Sequence, residues 1–263
     1  MNRSEELDFA CRIAQRAAQV LCQGFGGRVP AVHKGLVDLV TEYDRRSEAL
    51  ILGEIQAAYP QDRILAEESG ALGTGGQRTW YIDPLDGTTN YAHGFPFFAV
   101  SIGLADREGL RLGVVLDPTR GEVFWAERGR GAFLNEERLR VSETAELRES
   151  LLVTGFPYDV SSNPVNNLDN YAKFAVRSLG VRRLGSAALD MAYVAAGRLD
   201  GFWELRLSPW DVAAGSLLVL EAGGIVTDID GGHLQLTDFP SVLAANPRLH
   251  PRMLEVLRLD PES

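Results

Sequence analysis

Trp80-Tyr81-Ile82-Asp83-Pro84-Leu85-Asp86-Gly87-Thr88-Thr89-Asn90-Tyr91 reads as a buried strand that runs into an acidic residue and then turns sharply. Pro84 fixes one backbone angle, and Gly87 permits an unusual one. A tight turn there brings Asp83 and Asp86 to one side and leaves the Leu85 carbonyl free to join them. Three hard oxygens in one small turn suit Mg²⁺ or Mn²⁺ better than Zn²⁺, which favours His and Cys. Read alone, Asp83 to Gly87 fits an ordinary turn equally well. Thr88, Thr89 and Asn90 add small polar side chains beside free backbone N–H groups, a seat for phosphate where a helix begins. Thr88 fits two roles, orienting a water or capping that helix.

Other segments carry acids at comparable places. Ala66-Glu67-Glu68-Ser69-Gly70 ends an apolar strand with two acids, which point to opposite faces if the strand persists, so that one faces the Asp83 turn. A solvated strand end explains them too. Asp38-Leu39-Val40-Thr41-Glu42-Tyr43-Asp44 starts a helix, where acids complement the dipole and cap the first turn without further purpose. Ser208-Pro209-Trp210-Asp211 opens another helix with Asp211 in its first turn. Each segment has a plain structural explanation. Together they present acids beside small residues at four strand ends or helix starts, which is how a multi-metal carboxylate site is assembled from distant segments.

The remaining elements follow from periodicity. Apolar residues recur at helical spacing over residues 4–23 and stop at Gly24, and a second helix runs from Thr41 or Glu42 to Tyr59 before Pro60. Strands are expected at 64–66, 80–82, 97–104, 110–115 and 122–126, with short connections that imply antiparallel pairing in the middle of the group. After residue 150 the pattern alternates. Strands at 151–154, 181–184, 199–204 and 225–229 are separated by helices near 165–178, at 186–196 and at 209–222. Gly73-Thr74-Gly75-Gly76 reads as a surface loop, because no Lys-Ser or Lys-Thr follows it as in a nucleotide-binding loop.

Composition bounds the function. A net charge of -10 argues against a surface that coats nucleic acid, since phosphate backbones are held mainly by Lys and Arg clusters. A phosphorylated small molecule stays compatible, because divalent cations reverse the field of a carboxylate cleft. Cys11 and Cys22, the two cysteines, have neither disulfide nor zinc spacing and read as reduced. The four histidines are scattered, and there is no Gly-Xaa-Ser-Xaa-Gly elbow for a serine hydrolase. No stretch is apolar and long enough to span a bilayer, and the N-terminus lacks a basic flank with an apolar core, so a cytoplasmic protein is expected.

These blocks resemble the inositol monophosphatase family in its bacterial branch, in order and approximate spacing, across nearly the whole chain. Asp83 to Tyr91 together with Trp210-Asp211 is its most specific signature, joined by 38–44, 67–70, 185–204 and 210–224. The resemblance implies an α/β fold, a layered αβαβα sandwich, as one domain over residues 1–263 with an α+β part to about 150 and an α/β part beyond. It also implies a homodimer, Mg²⁺ dependence with Mn²⁺ as substitute, and sensitivity to Li⁺. By the same resemblance Glu67, Asp83 and the Leu85 carbonyl hold a first Mg²⁺, Asp83, Asp86 and Asp211 a second, and a weaker third ion uses Glu67. Asp44 and Thr88 position the attacking water, with Glu67 completing the catalytic set. Asp86, Gly87, Thr88, Gly185, Ser186, Ala187, Glu204 and Asp211 contact the substrate, and Lys34 matches a loop lysine, on a loop slightly shortened here. The expected reaction is hydrolysis of inositol monophosphate; fructose 1,6-bisphosphate, histidinol phosphate and nucleotide 3'-phosphates are the alternatives. A second phosphate would call for a basic group such as Arg182 or Arg183. A different class of role is a regulatory protein that keeps the fold and binds a macromolecule.

Overall fold

The computed structural model describes residues 3–27, 31–33, 39–73 and 75–259. Lys34, Asp38 and Thr74 lie outside the described residues. The first half runs α1 (Glu5–Gly24), β1 (Ala31–His33), β2 (Leu39–Thr41), α2 (Glu42–Ala58), β3 (Arg63–Ala66), β4 (Gly70–Leu72), β5 (Thr79–Asp86), α3 (Thr88–Ala92), β6 (Ala99–Asp106), β7 (Gly109–Asp117), β8 (Glu122–Glu127), β9 (Gly131–Leu134) and β10 (Glu137–Arg138). The second runs β11 (Leu151–Thr154), α4 (Leu168–Ala175), β12 (Gly180–Arg182), α5 (Ala187–Ala195), β13 (Gly201–Glu204), α6 (Pro209–Glu221), β14 (Ile225–Thr227), β15 (Val242–Ala245) and α7 (His250–Leu257).

Strands β3 to β10 form an eight-stranded sheet in the order β10-β9-β8-β7-β6-β5-β3-β4, and β11 to β15 form a five-stranded sheet in the order β12-β11-β13-β15-β14. The short connections from β5 to β9 give antiparallel pairs throughout, whereas β3 pairs β5 in parallel. An apolar stripe on α1 (Leu7, Ala10, Ile13, Ala14, Ala17, Leu21) joins Ile51 and Ile55 of α2 against one face of the large sheet. The other face packs on α5 and α6, which are apolar on nearly all sides because the second sheet covers them from beyond. Phe174 of α4 and Met253 of α7 close the far face of that second sheet over Trp203. The result is the αβαβα sandwich, in five layers.

The differences from expectation have local causes. The fourth helix starts at Leu168 because Asn167 sits at φ 70, a left-handed conformation that no helix continues through. Glu67 and Glu68 do not extend a strand: β3 stops at Ala66 and residues 67–69 form the turn into β4, with Glu68 N–H donating to Glu48 Oε2 at 2.8 Å. The elements β1, β2, β4, β9, β10, β15 and α7 are not signalled by periodicity. Most are two to four residues long, too short for a period to register, and α7 spans only eight residues.

Candidate active site

Asp83 and Asp86 lie at the C-terminal end of β5, where the pairing with β6 shifts register between them. The shift turns the chain out of the sheet: Asp83 Oδ1 accepts from Leu85 N–H at 2.9 Å, a bond that fixes the Asp-Pro-Leu turn. Gly87 then takes φ 97, and a Cβ there would meet the carbonyl oxygens of Gly185 and Phe97 at 3.1 Å each. Only glycine holds this conformation without strain.

Three tethers bring the other acids to this turn. Glu67 N–H donates to Ile82 O at 3.1 Å, which carries the parallel β3–β5 pairing one residue past the strand end and sets Glu67 beside Asp83. Ser47, one turn into α2, donates to Pro84 O at 2.9 Å, and this docks the first turn of α2, with Asp44, against the same loop. Ser101, the cross-strand partner of Asp83, donates to Trp210 O at 3.3 Å and seats the start of α6, with Asp211, over the strand end. The close approach of α6 depends on Gly103 and Gly113, where a Cβ would come within 2.9 Å of Ala213 Cβ and 2.7 Å of Ala214 O.

Asp44 performs two tasks with its two oxygens. Oδ2 accepts from Thr41 N–H at 2.8 Å and completes the capping box of α2, while Oδ1 accepts from Thr88 Oγ1 at 2.9 Å. Thr88 Oγ1 also lies 3.1 Å from the Leu85 carbonyl. The cap of α2 and the contact with Thr88 are thus carried by one carboxylate. Asp211 likewise caps its own helix, accepting from Ser208 N–H at 2.7 Å. Asp86 Oδ2 accepts from Ser186 Oγ at 2.6 Å and Ala188 N–H at 2.7 Å, so the start of α5 is pinned to the end of β5.

The electrostatics record how closely the acids converge. Burial, then the neighbouring Glu67, Asp86 and Asp211, pushes the Asp83 carboxyl well above the usual carboxylate range. Asp211 is raised well above it by burial and by Asp86, with Glu67 and Glu204 adding to the shift. Burial lifts Asp86 to about 6 against the hydrogen bonds from Ser186 and the α5 backbone. Among the described residues no three His, Cys, Asp or Glu side chains already close into a cation cage. The donor set nonetheless fits a hard divalent cation: mutually repelling carboxylates and a peptide carbonyl, with no sulfur or imidazole among them.

Beside the acids a cleft of about 110 Å³ is lined by Asp86, Gly87, Gly185, Ser186, Ala187 and Glu204. Six residues expected at the substrate therefore share one wall system, while Glu67, Asp83, Leu85, Thr88 and Asp211 are not among its lining residues. Glu204 is buried rather than a surface acid, and burial, opposed by Arg183, lifts its carboxyl to about 8. Arg183 lines the cleft; Arg182, exposed on β12, is not among the lining residues. Asn90 does not serve a phosphate seat, because its amide donates to Phe97 O at 2.7 Å and Leu184 O at 2.8 Å and ties α3 to the Gly185 loop. Asp190 was not anticipated. It is 1 % exposed, lines the cleft, and has a buried Oδ1 without a hydrogen-bond partner. Its signal in the sequence is an acid inside the otherwise apolar helix AALDMAYVA.

The chain is similar to known proteins along nearly its whole length. The family model of the inositol monophosphatase family matches residues 2–260. The Nus factor SuhB of Escherichia coli strain K12 is 46% identical over 256 residues, covering 96% of this chain and 95% of that protein. An inositol-1-monophosphatase of Mesorhizobium japonicum is 43% identical over 261 residues, covering 98% of each. Among solved structures, inositol monophosphatase from Anabaena has a TM-score of 0.88 at 45% identity, covering 97% of this chain and 96% of that one. The extragenic suppressor protein suhB from Bartonella henselae has a TM-score of 0.90 at 39% identity, covering 97% and 99%. With the family model matched from end to end and relatives this similar over their full lengths, the chain belongs to the inositol monophosphatase family.

Proposed function

We propose that this chain is a cytoplasmic, divalent-cation-dependent phosphatase of small phosphate monoesters, with inositol monophosphate as the substrate and Mg²⁺ as the resident ion. The observation that carries the reading is the convergence of Glu67, Asp83, Asp86 and Asp211 from three separate segments, with Asp86 on the wall of a cleft that Glu204 also lines. Glu67, Asp83 and the Leu85 carbonyl would hold one ion and Asp83, Asp86 and Asp211 a second, with Glu67 available to a third. When bound, such ions acidify water and neutralise charge on a phosphoryl group.

The protein's own residues supply orientation and proton transfer. Thr88 Oγ1 is fixed between Asp44 Oδ1 and Leu85 O, so its lone pairs face outward and can accept from a water held for in-line attack. The proton released passes by way of the hydroxyl to Asp44, whose burial raises its affinity for it. Backbone N–H groups of Gly87 and Thr88 contact the phosphate oxygens. Ser186 and Ala187, anchored by Asp86, align the leaving alcohol, and Glu204 accepts from its hydroxyls. Lys34, outside the described residues, is a further candidate for the metal side of the site.

The test is release of inorganic phosphate from a panel containing inositol 1-phosphate, fructose 1,6-bisphosphate, histidinol phosphate and a nucleotide 3'-phosphate, with Mg²⁺, with Mn²⁺ and in chelator. Turnover of inositol 1-phosphate that requires the divalent ion and falls with Li⁺ is the expected result. Preference for the bisphosphate would assign the second phosphate to Arg183, which lines the cleft together with Arg206. A second reading, binding to a macromolecular partner on the same fold, is favoured by the relatives named Nus factor SuhB. Inactivity of the metal-replete protein on every panel member would select it. Light scattering tests the homodimer.

A further inference from the structure

We propose a second ligand site, for a small polyanion, in the cleft of about 570 Å³ where the C-terminal end of α6 meets the irregular segment that follows β10 and the turn after β15. Its volume is in the range that encloses a small metabolite. Arg138, Arg140 and Arg248 line it, all three exposed. Ten of the described arginines pair with carboxylates, Arg78, Arg120, Arg128, Arg198 and Arg252 among them. Among the described residues Arg138, Arg140 and Arg248 reach no carboxylate; Arg138 packs over Phe133.

The walls are built in advance by one buried side chain. Asn246, 1 % exposed, donates from Nδ2 to Ser142 Oγ at 3.1 Å and Thr144 O at 2.9 Å, and its Oδ1 accepts from the N–H groups of Arg248 at 2.9 Å and Leu249 at 3.0 Å. All four of its hydrogen-bonding positions are used to hold the Arg140 side of the cleft against the Arg248 side. Ser142 accepts from Asn246, so its own hydroxyl hydrogen is left to donate into the cleft.

Groups that would repel an anion are engaged elsewhere. Both oxygens of Glu221 accept backbone N–H groups, from Gly129 and Gly131 at 2.7 Å each. The α6 carbonyls that end there accept from Val141, Gly223 and Gly224. Glu143 is the remaining acid, on the exposed rim. Three guanidinium groups and a hydroxyl around one space match the spread charge of a phosphorylated or polycarboxylate metabolite, since guanidinium forks pair with both kinds of oxyanion. The site is separate from the carboxylate cluster: Ala222 lies eleven residues along α6 from Asp211, roughly 16 Å at 1.5 Å per residue.

The experiment is titration of the isotopically labelled, metal-free full chain with inorganic pyrophosphate and, separately, with tricarballylate, followed by amide shifts of Ser142, Asn246 and Arg248. Saturable shifts at these amides with either probe are expected, and the probe that binds names the oxyanion class. Arg140→Gln with Arg248→Gln should weaken that binding about tenfold or more, by loss of charge-assisted hydrogen bonds. Glu204→Gln should leave it unchanged. Absence of saturable shifts with both probes overturns the proposal, as does saturation that the double variant leaves intact.

Discussion

Thr88 Oγ1 stands 2.9 Å from Asp44 Oδ1, although the two residues are 44 positions apart and lie on different helices. The other oxygen of Asp44 caps α2, so the pair links helix initiation to the proposed proton path.

Asp44→Asn separates these roles. The amide oxygen can keep the cap on Thr41 while its NH₂ group faces Thr88, which can no longer hand over a proton. Stability should change by less than about 1 kcal/mol, within the range of a cap alteration. Turnover should fall about 100-fold or more, the share of general base catalysis. Thermal melts and kcat on the best panel substrate check both halves.

Asp83→Asn is expected to be inactive and, in chelator, more stable than the natural protein. The substitution removes a buried charge that Glu67, Asp86 and Asp211 all oppose, and the asparagine oxygen can still accept from Leu85 N–H. A gain of about 0.5–2 kcal/mol is typical when a strained functional group is relieved. Adding Mg²⁺ should reverse the order, because the ion stabilises the form that binds it. Denaturation curves with and without Mg²⁺ decide it.

Stability in chelator should fall as pH rises from about 4.5 through about 8. Glu204 has its folded pKa lifted from 4.5 to about 8, so the folded state binds a proton that the unfolded chain has already released. That contribution is complete below the unfolded value and is lost as pH passes the folded one. The facing groups are Arg183, which opposes the shift, and Asp86, which adds to it. Glu204→Gln should flatten this limb in melts taken between pH 5 and 8.5 (roughly the window set by linkage).

Gly87→Ala tests the turn. An alanine at φ 97 costs about 1–2 kcal/mol before its Cβ displaces the Gly185 or Phe97 carbonyl, both 3.1 Å away. Reduced stability with a larger loss in kcat/KM than the stability change explains is expected. Urea unfolding and steady-state kinetics measure the two quantities.

Much of this arrangement is legible one segment at a time. The strand ending in Asp83-Pro84-Leu85-Asp86-Gly87 carries its own turn chemistry, and α1, α2 and α6 announce themselves by apolar spacing, a threonine or serine cap and a bounding Gly or Pro. Local chemistry of this kind acts within a few residues, so a linear reading captures it. It also captures the predominance of carboxylates over thiols and imidazoles, which is a matter of residue type alone.

What periodicity does not contain is which acids meet. Glu67 reaches Asp83 through the parallel pairing of β3 with β5, and Asp211 reaches it because Gly103 and Gly113 let α6 lie close to the sheet while Ser101 holds Trp210. These contacts join residues far apart in sequence, and packing decides them. The burial of Glu204 and the unpartnered oxygen of Asp190 are likewise products of the second sheet closing over α5, as is the pinning of both walls of the arginine cleft by Asn246. By itself the sequence determined the longer elements, the turn and the residue types of the acids; the tertiary structure alone determined the distances, because desolvation and mutual repulsion exist only once the chain has brought its charges together.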